Sequence, residues 1–476
     1  MNKFIYISLC SLVFLFTSCE KWLTIQPNNE IEKTKLYETE DGFWQATNGI
    51  YYYLYHIYDP SVSATEYRYS VDVWEDLICL WTVSSTSSSA QWNKHMYKNS
   101  NVENDMEIIF LNLYNLIAHC NTILQYVDNV DFLPSTSYNI IKGEALALRA
   151  YFHFDLMRLW GPIPTNIDEN YTYLPYVTQV SKSSSEYNTY EDYMSFLLED
   201  LNEAERLLKM SDPIVNYSCD ELNTGSMFGD YNRTEFYYRQ NRMNYYGACA
   251  LHARVALWMN DQQTAVSYAD SIINATNADG SLKFTLGTAS DVSEETQTNT
   301  NTLHTEHLFS IYYSYYNWQE SWSTIQDNKH YFQWSKISSL FNGDENDFRF
   351  GTLCYQPDDS QQAYGTSRKY MCYDDLWVPL ARLSEMYFIV MECGSLDRAN
   401  ELYNQFCASR GCQYTELTAE NRQSIVLQEY YKEFIAEGQI FFANKRLAIQ
   451  NPLWVEDDMR EEQYVLPIPE RESNLQ

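Results

Sequence analysis

The sequence has few basic residues. Its 476 residues include 32 Lys and Arg against 64 Asp and Glu, so the formal net charge is −32. A nucleic-acid-binding face must be basic to neutralise phosphates, and an anionic membrane surface would repel this chain for the same reason. The charge therefore argues against nucleic acid as a partner. The length suits one large domain or two to three ordinary ones.

Recognisable metal-binding or disulfide patterns are also lacking. Nine of the eleven cysteines lie beyond the N-terminal leader, an odd number, and their spacing fits no paired Cys-x-x-Cys zinc pattern. The acidic stretch 344–347 lacks the calcium-loop spacing, and His304 and His307 have no third ligand nearby in sequence. We predict no disulfide framework and no metal site. One local bridge, such as Cys354 to Cys372, remains open.

The motifs of common enzyme classes are missing. The sequence contains no Gly-rich phosphate loop, no Gly-x-Ser-x-Gly elbow and no His-Glu-x-x-His pair. An acidic row, Glu429, Glu433 and Glu437, has the spacing of one helix face. Rows of this kind are usually solvated or paired with basic neighbours rather than catalytic. The sequence thus predicts a protein that is not an enzyme and that uses no cofactor.

The one long apolar run lies at the N-terminus. A short basic start is followed by the apolar stretch 4–16, which is too short to span a bilayer as a mature helix. Small residues then precede Cys19, as in a bacterial lipobox. We predict a lipoprotein signal peptide over 1–18 and a lipid on Cys19. The alternative is an ordinary secretory peptide with an incidental cysteine.

One helix is predicted to be central to the fold. Residues 145–160 are good helix formers without internal Gly or Pro, and their apolar side chains fall nearly all round the helix. Gly161 and Pro162 then end it. We interpret Arg149 and His153 as a polar pair that is hydrogen-bonded inside a helical core.

The rest of the chain divides into helical and irregular regions. Apolar residues at helical spacing predict helices over 39–58, 101–124, 190–210 and 419–447. Little helical period is found in two stretches, which we interpret as irregular insertions of the kind that carry function. The predicted domain is a single one over 19–476, with helical regions 101–274 and 380–447 and irregular insertions 59–100 and 275–378.

Two segments share a helix–turn–helix pattern. In 251–273 a helix ends near Trp258 and a second follows, and 380–406 repeats the arrangement. The turns align, with 260–265 matching 394–399 and small residues at equivalent positions. Such spacing is typical of tetratricopeptide helix pairs.

Aromatic residues are abundant, with 42 Tyr and 12 Trp, and some lie in the irregular segments. Sugar rings present flat C–H faces that stack on Trp and Tyr, and their hydroxyls need amides or carboxylates beside the ring. The alternative is that these rings fill a core beneath the loops. The predicted glycan-binding residues are Trp81, Trp92, Asn93, Tyr315, Trp318 and Trp322.

Five motifs occur in order along the chain. The longest is Arg-Ala-Tyr-Phe-His-Phe-Asp-Leu-Met-Arg-Leu-Trp-Gly-Pro-Ile-Pro at 149–164. The others are the early helix, the two helix pairs, the late acidic helix and the closing Pro467-Ile468-Pro469. Together these motifs resemble the SusD/RagB family of outer-membrane nutrient-binding lipoproteins. Ile440 and Ala443 stand where the family usually has Arg and Asp, so a salt bridge made there is lost or replaced.

This resemblance implies a mainly α fold in which tetratricopeptide-like pairs form a scaffold under an irregular, loop-rich, ligand-facing layer. It also implies a surface-exposed protein, held in the outer membrane by its lipid, that captures glycans for a SusC-like TonB-dependent porin. A RagB-like peptide-binding lipoprotein is the alternative. A secreted glycoside hydrolase would need two carboxylates at a defined separation, and no specific pair is seen. A plain helical scaffold would not explain the lipobox.

Overall fold

Helices dominate the structure, a computed structural model that describes residues 35–58, 75, 77–80, 88–181, 184–224, 233–292, 299–313, 331–356, 363–370 and 376–470. The first eight are α1 (Glu40–Tyr58), α2 (Ser88–Trp92), α3 (Ser100–Val127), α4 (Ser135–Trp160), α5 (Tyr190–Ser211), α6 (Cys219–Thr224), α7 (Tyr245–Trp258) and α8 (Gln262–Ile273). The others are α9 (Trp334–Leu340), α10 (Phe348–Gly351), α11 (Leu383–Cys393), α12 (Leu396–Arg410), α13 (Arg422–Glu433), α14 (Ile440–Arg446) and α15 (Glu461–Tyr464). The fold is mainly α, as predicted.

Short antiparallel strands supplement the helices. The strands are β1 (Thr172–Leu174), β2 (Asn188–Thr189), β3 (His307–Tyr313), β4 (Phe332–Gln333), β5 (Cys354–Tyr355), β6 (Tyr364–Ser367) and β7 (Leu376–Arg382). β1 pairs with β2, β3 pairs with β7, and β6 lies between β4 and β5. The longest ladder, β3–β7, joins the segment 307–313 to the chain just before α11.

The predicted central helix is α4, and it begins earlier than the sequence indicated. Almost every side chain from Gly143 to Trp160 is buried, and α3 and α5 pack against it. Arg149 and His153 are hydrogen-bonded within the core, as predicted. Arg149 donates from Nε and Nη2 to the carboxylate of Asp200 at 2.7 and 2.5 Å. The amide of Val177 donates to His153 Nε2 at 3.1 Å, so the ring proton sits on Nδ1, which faces the Tyr193 hydroxyl at 2.8 Å.

The two predicted helix pairs are α7–α8 and α11–α12, and α8 packs against α11. Their turns are built alike because each second helix has a side-chain N-cap at the matched position. Asp261 accepts a hydrogen bond from the amide of Thr264 at 3.1 Å, and Ser395 accepts one from the amide of Arg398 at 3.3 Å. Four residues after each cap an alanine is fully buried, which allows close helix approach: Ala265 and Ala399.

The prediction of one long helix over 419–447 is wrong. The structure has two helices, α13 and α14, separated by a turn over 434–439. Ala436 and Gly438 in that turn have positive φ angles of 63° and 70°, which a helix does not accommodate. The turn carries Glu437 inward, where its carboxylate binds Arg382 and Lys369.

The described parts of the predicted irregular insertions contain regular elements. Within 275–378 lie β3 to β6 and the short helices α9 and α10, and α2 lies within 59–100. Strands of two to seven residues are paired across long sequence separations, which single-sequence periodicity does not show. No helix among the described residues is long and apolar enough to cross a membrane.

Candidate functional site

The predicted contact Trp92 lies in the core. Its side chain is 0% exposed, and its indole N–H donates to Asp105 Oδ2 at 3.0 Å. The ring also meets Tyr97 edge to face, with centroids 6.0 Å apart. A ring covered on both faces cannot stack on a sugar, so the expectation of an exposed Trp92 is corrected. The alternative noted for these rings, a core beneath the loops, holds at this position.

Of the other predicted contacts, only Asn93 lies among the described residues. Asn93 follows α2 and is half-buried, with its carbonyl oxygen 3.4 Å from Cys79 Sγ. Trp81, Tyr315, Trp318 and Trp322 lie outside the described residues, as does Cys19.

The acidic row is paired with cations and buried. Glu433 accepts from Arg382 at 2.8 Å and from Arg410 at 2.7 Å, and Glu429 lies 2.8 Å from Arg349. Burial alone would raise the pKa of Glu433, but the guanidinium groups of Arg410 and Arg382 hold it well below its usual value. A carboxylate that stays ionised and enclosed cannot serve as a general acid. These residues hold α13 to the fold.

An open cleft with a different composition lies beside α9. It contains about 1370 Å³ of open space, solvent included. Its wall has aromatic, amide and hydroxyl side chains. We call it the Trp334 cleft, and define it by Gln333, Trp334, Ser335, Ser338, Ser339, Asn342, Gly343, Ala363 and Tyr364.

Strand pairing and a short helix build this cleft. Gln333 of β4 pairs with Tyr364 of β6, and the amide of Trp334 donates to the Ala363 carbonyl at 2.9 Å. α9 then buries Ile337 and Leu340 and turns its serines outward. It ends where Asn342 and Gly343 adopt positive φ angles of 53° and 67°. Asn342 is exposed there at the cleft wall.

The indole of Trp334 is held in place by its contacts with Phe350 and Gly365. It is half-buried and lies against Phe350, with ring centroids 5.1 Å apart and planes 31° apart. Gly365 is directly beside it, because a Cβ built on Gly365 would come within 2.6 Å of Trp334 Cε3. Tyr364, the next residue along the cleft, is 37% exposed. Two aromatic side chains are therefore presented to solvent on a supported surface.

The chemistry of the cleft suits hydroxyl-rich ligands. An indole and a phenol ring offer stacking faces, and amides and hydroxyls each donate and accept hydrogen bonds. The side-chain amides of Gln333 and Asn342 make no hydrogen bond within the described part of the chain. The cleft residues come from two segments, 333–343 and 363–364. Among the described residues, no group of three or more His, Cys, Asp or Glu could hold a metal ion.

This cleft is not among the sites predicted from the sequence. Its signal was the stretch Tyr-Phe-Gln-Trp-Ser at 331–335, where aromatic residues flank an amide and a hydroxyl. What brings it to Tyr364 is a strand pairing across some thirty residues, and two-residue strands have no readable period.

A family model and a curated protein each match part of this chain. Residues 53–217 match the SusD-like family model, described as "Starch-binding associating with outer membrane". The chain is also 25% identical over 213 residues to SusD-like protein P38 of Formosa agariphila. That match spans 44% of this chain and 39% of the relative, so it covers well under half of the curated protein.

Solved structures share the fold over nearly the full chain. A SusD superfamily protein from Bacteroides thetaiotaomicron is similar with a TM-score of 0.70 at 19% identity, covering 92% of this chain and 98% of the other. A SusD-like carbohydrate binding protein from Bacteroides vulgatus gives 0.69 at 15%, covering 92% and 96%. Surface glycan-binding protein A from B. thetaiotaomicron, in complex with laminarihexaose, gives 0.65 at 16%, covering 91% and 97%.

Proposed function

We propose that this chain, a SusD-like protein by its fold and by the sequence of residues 53–217, is a cell-surface glycan-binding lipoprotein. It captures oligosaccharides or polysaccharides and delivers them to a SusC-like TonB-dependent porin of the outer membrane. The observation that carries the binding role is the Trp334 cleft, where a supported indole, an exposed tyrosine and two amides line one open surface.

The glycan is expected to lie along the cleft wall. A sugar ring stacked on Trp334 would present its hydroxyls to neighbouring amides and serines, which accept and donate as the ligand requires. An open cleft also admits an internal segment of a long chain, since it does not enclose the ligand's ends. Trp81, Asn93, Tyr315, Trp318 and Trp322 stay proposed as additional contacts, whereas Trp92 is withdrawn.

We propose binding without turnover. The acidic row that was the best candidate for acid/base chemistry is engaged by three arginines, and the Trp334 cleft has no carboxylate in its wall. Incubating purified protein with each bound glycan and measuring new reducing ends tests this directly. Release of reducing ends that persists through repeated purification would contradict it.

The proposed anchor is a lipid on Cys19, at the end of the predicted signal peptide. We further propose that residues 19–476 form a single domain held outside the cell by this tether. Replacing Cys19 with alanine should move the protein from the membrane fraction to the soluble fraction. Membrane attachment of Cys19→Ala in cells that lack the porin would contradict lipid anchoring.

The proposed partner is the porin. A lid that closes over it should bury an interface well above about 1,000 Å². The net charge of −32 would steer docking if the porin face is basic. Co-purification from membranes tests the pairing, with the loss of complex at high salt as the expected electrostatic signature. Failure to co-purify at low salt would contradict it.

The RagB-like alternative, a peptide ligand, uses the same architecture. A screen of the purified protein against glycans and peptides separates the two. Glycan binding that Trp334→Ala weakens supports the proposal, and peptide binding without glycan binding favours the alternative.

A further inference from the structure

The three elements that form the Trp334 cleft carry almost no charge. β4 and β6 have no ionisable residue except Tyr364, and α9 has only Lys336. No Asp, Glu, Lys, Arg or His appears among the nine residues that define the cleft. This neutral surface stands out in a chain with 64 acidic and 32 basic residues.

The cations next to the elements that form the cleft have other partners. Lys336 is half-buried, and its ammonium lies 3.5 Å from the backbone oxygen of Trp454. Lys432, which lies over the ring of Phe341 just after α9, is paired with Glu429 at 2.9 Å. Arg368, which follows β6, donates to the Thr352 carbonyl oxygen at 3.2 Å and lies over the ring of Tyr355. These three described cations therefore have partners other than a ligand in the cleft.

An acidic residue that follows the cleft in the chain is also engaged. Asp344, which follows the cleft residue Gly343, accepts hydrogen bonds from the backbone and side-chain nitrogens of Asn346 at 3.1 and 2.9 Å. Its charge still adds to the negative field of the whole chain. A carboxylate or sulfate on a ligand would lose water, gain no ion pair and feel that repulsion.

The spacing of the polar side chains fits a chain of neutral rings. Trp334 and Ser338 are one helical turn apart, about 6 Å along the axis of α9, and Asn342 follows four residues later. One stacking face is thus followed along the cleft by groups that both donate and accept hydrogen bonds, as hydroxyls require.

We propose that the Trp334 cleft selects neutral glycans and discriminates against uronic-acid and sulfated ones. This inference rests on the proposed function and adds the ligand class to it. Selection arises because the described residues of the cleft include no cation and because the protein carries a net negative charge. Binding of the neutral glycan should then depend little on salt, since no ion pair forms.

The test uses the full-length purified protein and two matched panels, neutral hexasaccharides that include laminarihexaose and hexauronates of the same length. Calorimetry at low and high salt should show a neutral hexasaccharide bound with an affinity that changes less than about twofold with salt. Every hexauronate should bind at least about tenfold more weakly, a difference of roughly 1.4 kcal/mol.

A charge variant sharpens the comparison. Asn342→Lys places a cation in the cleft wall. At low salt it should reduce the difference in affinity between the neutral hexasaccharides and the hexauronates. Gln413→Lys adds the same charge on an exposed residue outside the cleft and should leave that difference in affinity unchanged.

The outcomes separate the two levels of the proposal. A hexauronate that binds wild type as tightly as any neutral glycan, and that Trp334→Ala releases, overturns the neutral selection while leaving glycan capture standing. Failure of wild type to bind any member of broad neutral and anionic panels contradicts glycan capture, and the selection with it.

Discussion

Gly365 lies against the indole of Trp334, so closely that a Cβ at position 365 would come within 2.6 Å of Cε3. The same position would bring that Cβ to 2.9 Å from Phe332 and 3.0 Å from the Tyr355 carbonyl oxygen. Only glycine therefore allows β6 to pack under the ring, and the ring's orientation depends on it.

Gly365→Ala should displace Trp334 and weaken glycan binding without touching the ligand. The expected cost in stability is about 1 to 3 kcal/mol, because the new methyl group overpacks a close contact. Calorimetry with a bound glycan and a melting curve measure both effects. Gly49→Ala is the control, since its added Cβ meets nothing within 4 Å and the residue lies in α1, outside the cleft. Unchanged affinity in Gly365→Ala would mean that ring orientation is unimportant.

Trp92→Ala should unfold the protein more readily rather than weaken its ligand contacts. The ring is fully buried and hydrogen-bonded to Asp105, so truncation leaves a cavity and removes one hydrogen-bond donor from that carboxylate. Large-to-small changes of this kind cost about 3 to 5 kcal/mol. Denaturant unfolding checks the value. If Trp92→Ala were as stable as wild type but had lost glycan affinity, Trp92 would have to be assigned as a glycan contact.

Glu433→Gln should destabilise the protein by about 3 to 5 kcal/mol, because it leaves Arg382 and Arg410 short of a buried counter-charge. The folded pKa of Glu433 is depressed, so its contribution is present above the unfolded pKa of about 4.3 and is lost as pH falls through the folded value. The difference from wild type should thus shrink below about pH 4. Glu416→Gln, on the exposed loop before α13, is the matched control. Equal stability of both variants at pH 7 would refute the role of the network.

His307→Gln should reduce the loss of folding stability that occurs as the pH falls below about 6.5. His307 is buried, and burial lowers its pKa to about 3, with Arg382 and His304 acting in the same direction. The unfolded chain binds this proton below about pH 6.5 and the folded one does not, so stability falls as pH drops from about 6.5 toward 3. Gln Nε2 can keep the hydrogen bond that His307 Nε2 makes to the Thr302 carbonyl oxygen at 2.8 Å. Melting curves at pH 7 and 5 should show a smaller drop in the variant, and an identical drop would contradict this assignment.

The sequence predicted the elements whose signals are local. The turns at 260–265 and 394–399 could be aligned because the N-caps Asp261 and Ser395 and the buried Ala265 and Ala399 follow fixed helical spacing. The all-round apolar pattern of α4 likewise predicted its burial.

Features set by distant residues were not predictable in this way. The turn at Ala436 and Gly438 is stabilised by Glu437, which binds Arg382 and Lys369, far away in sequence. The local helical pattern therefore predicted one continuous helix through this turn. Trp92 and Trp334 look alike as aromatic residues near polar ones, yet only tertiary packing buries the first and leaves the second at an open cleft.

The central claim is that glycan is held at the Trp334 cleft. The most direct measurement is calorimetric titration of wild type, Trp334→Ala and Trp334→Phe with a glycan that wild type binds, alongside their melting curves. We predict that Trp334→Ala loses about 1 to 3 kcal/mol of binding free energy, by analogy with aromatic stacking platforms, that Trp334→Phe recovers part of it, and that all three remain folded. Wild-type affinity in folded Trp334→Ala would contradict the claim.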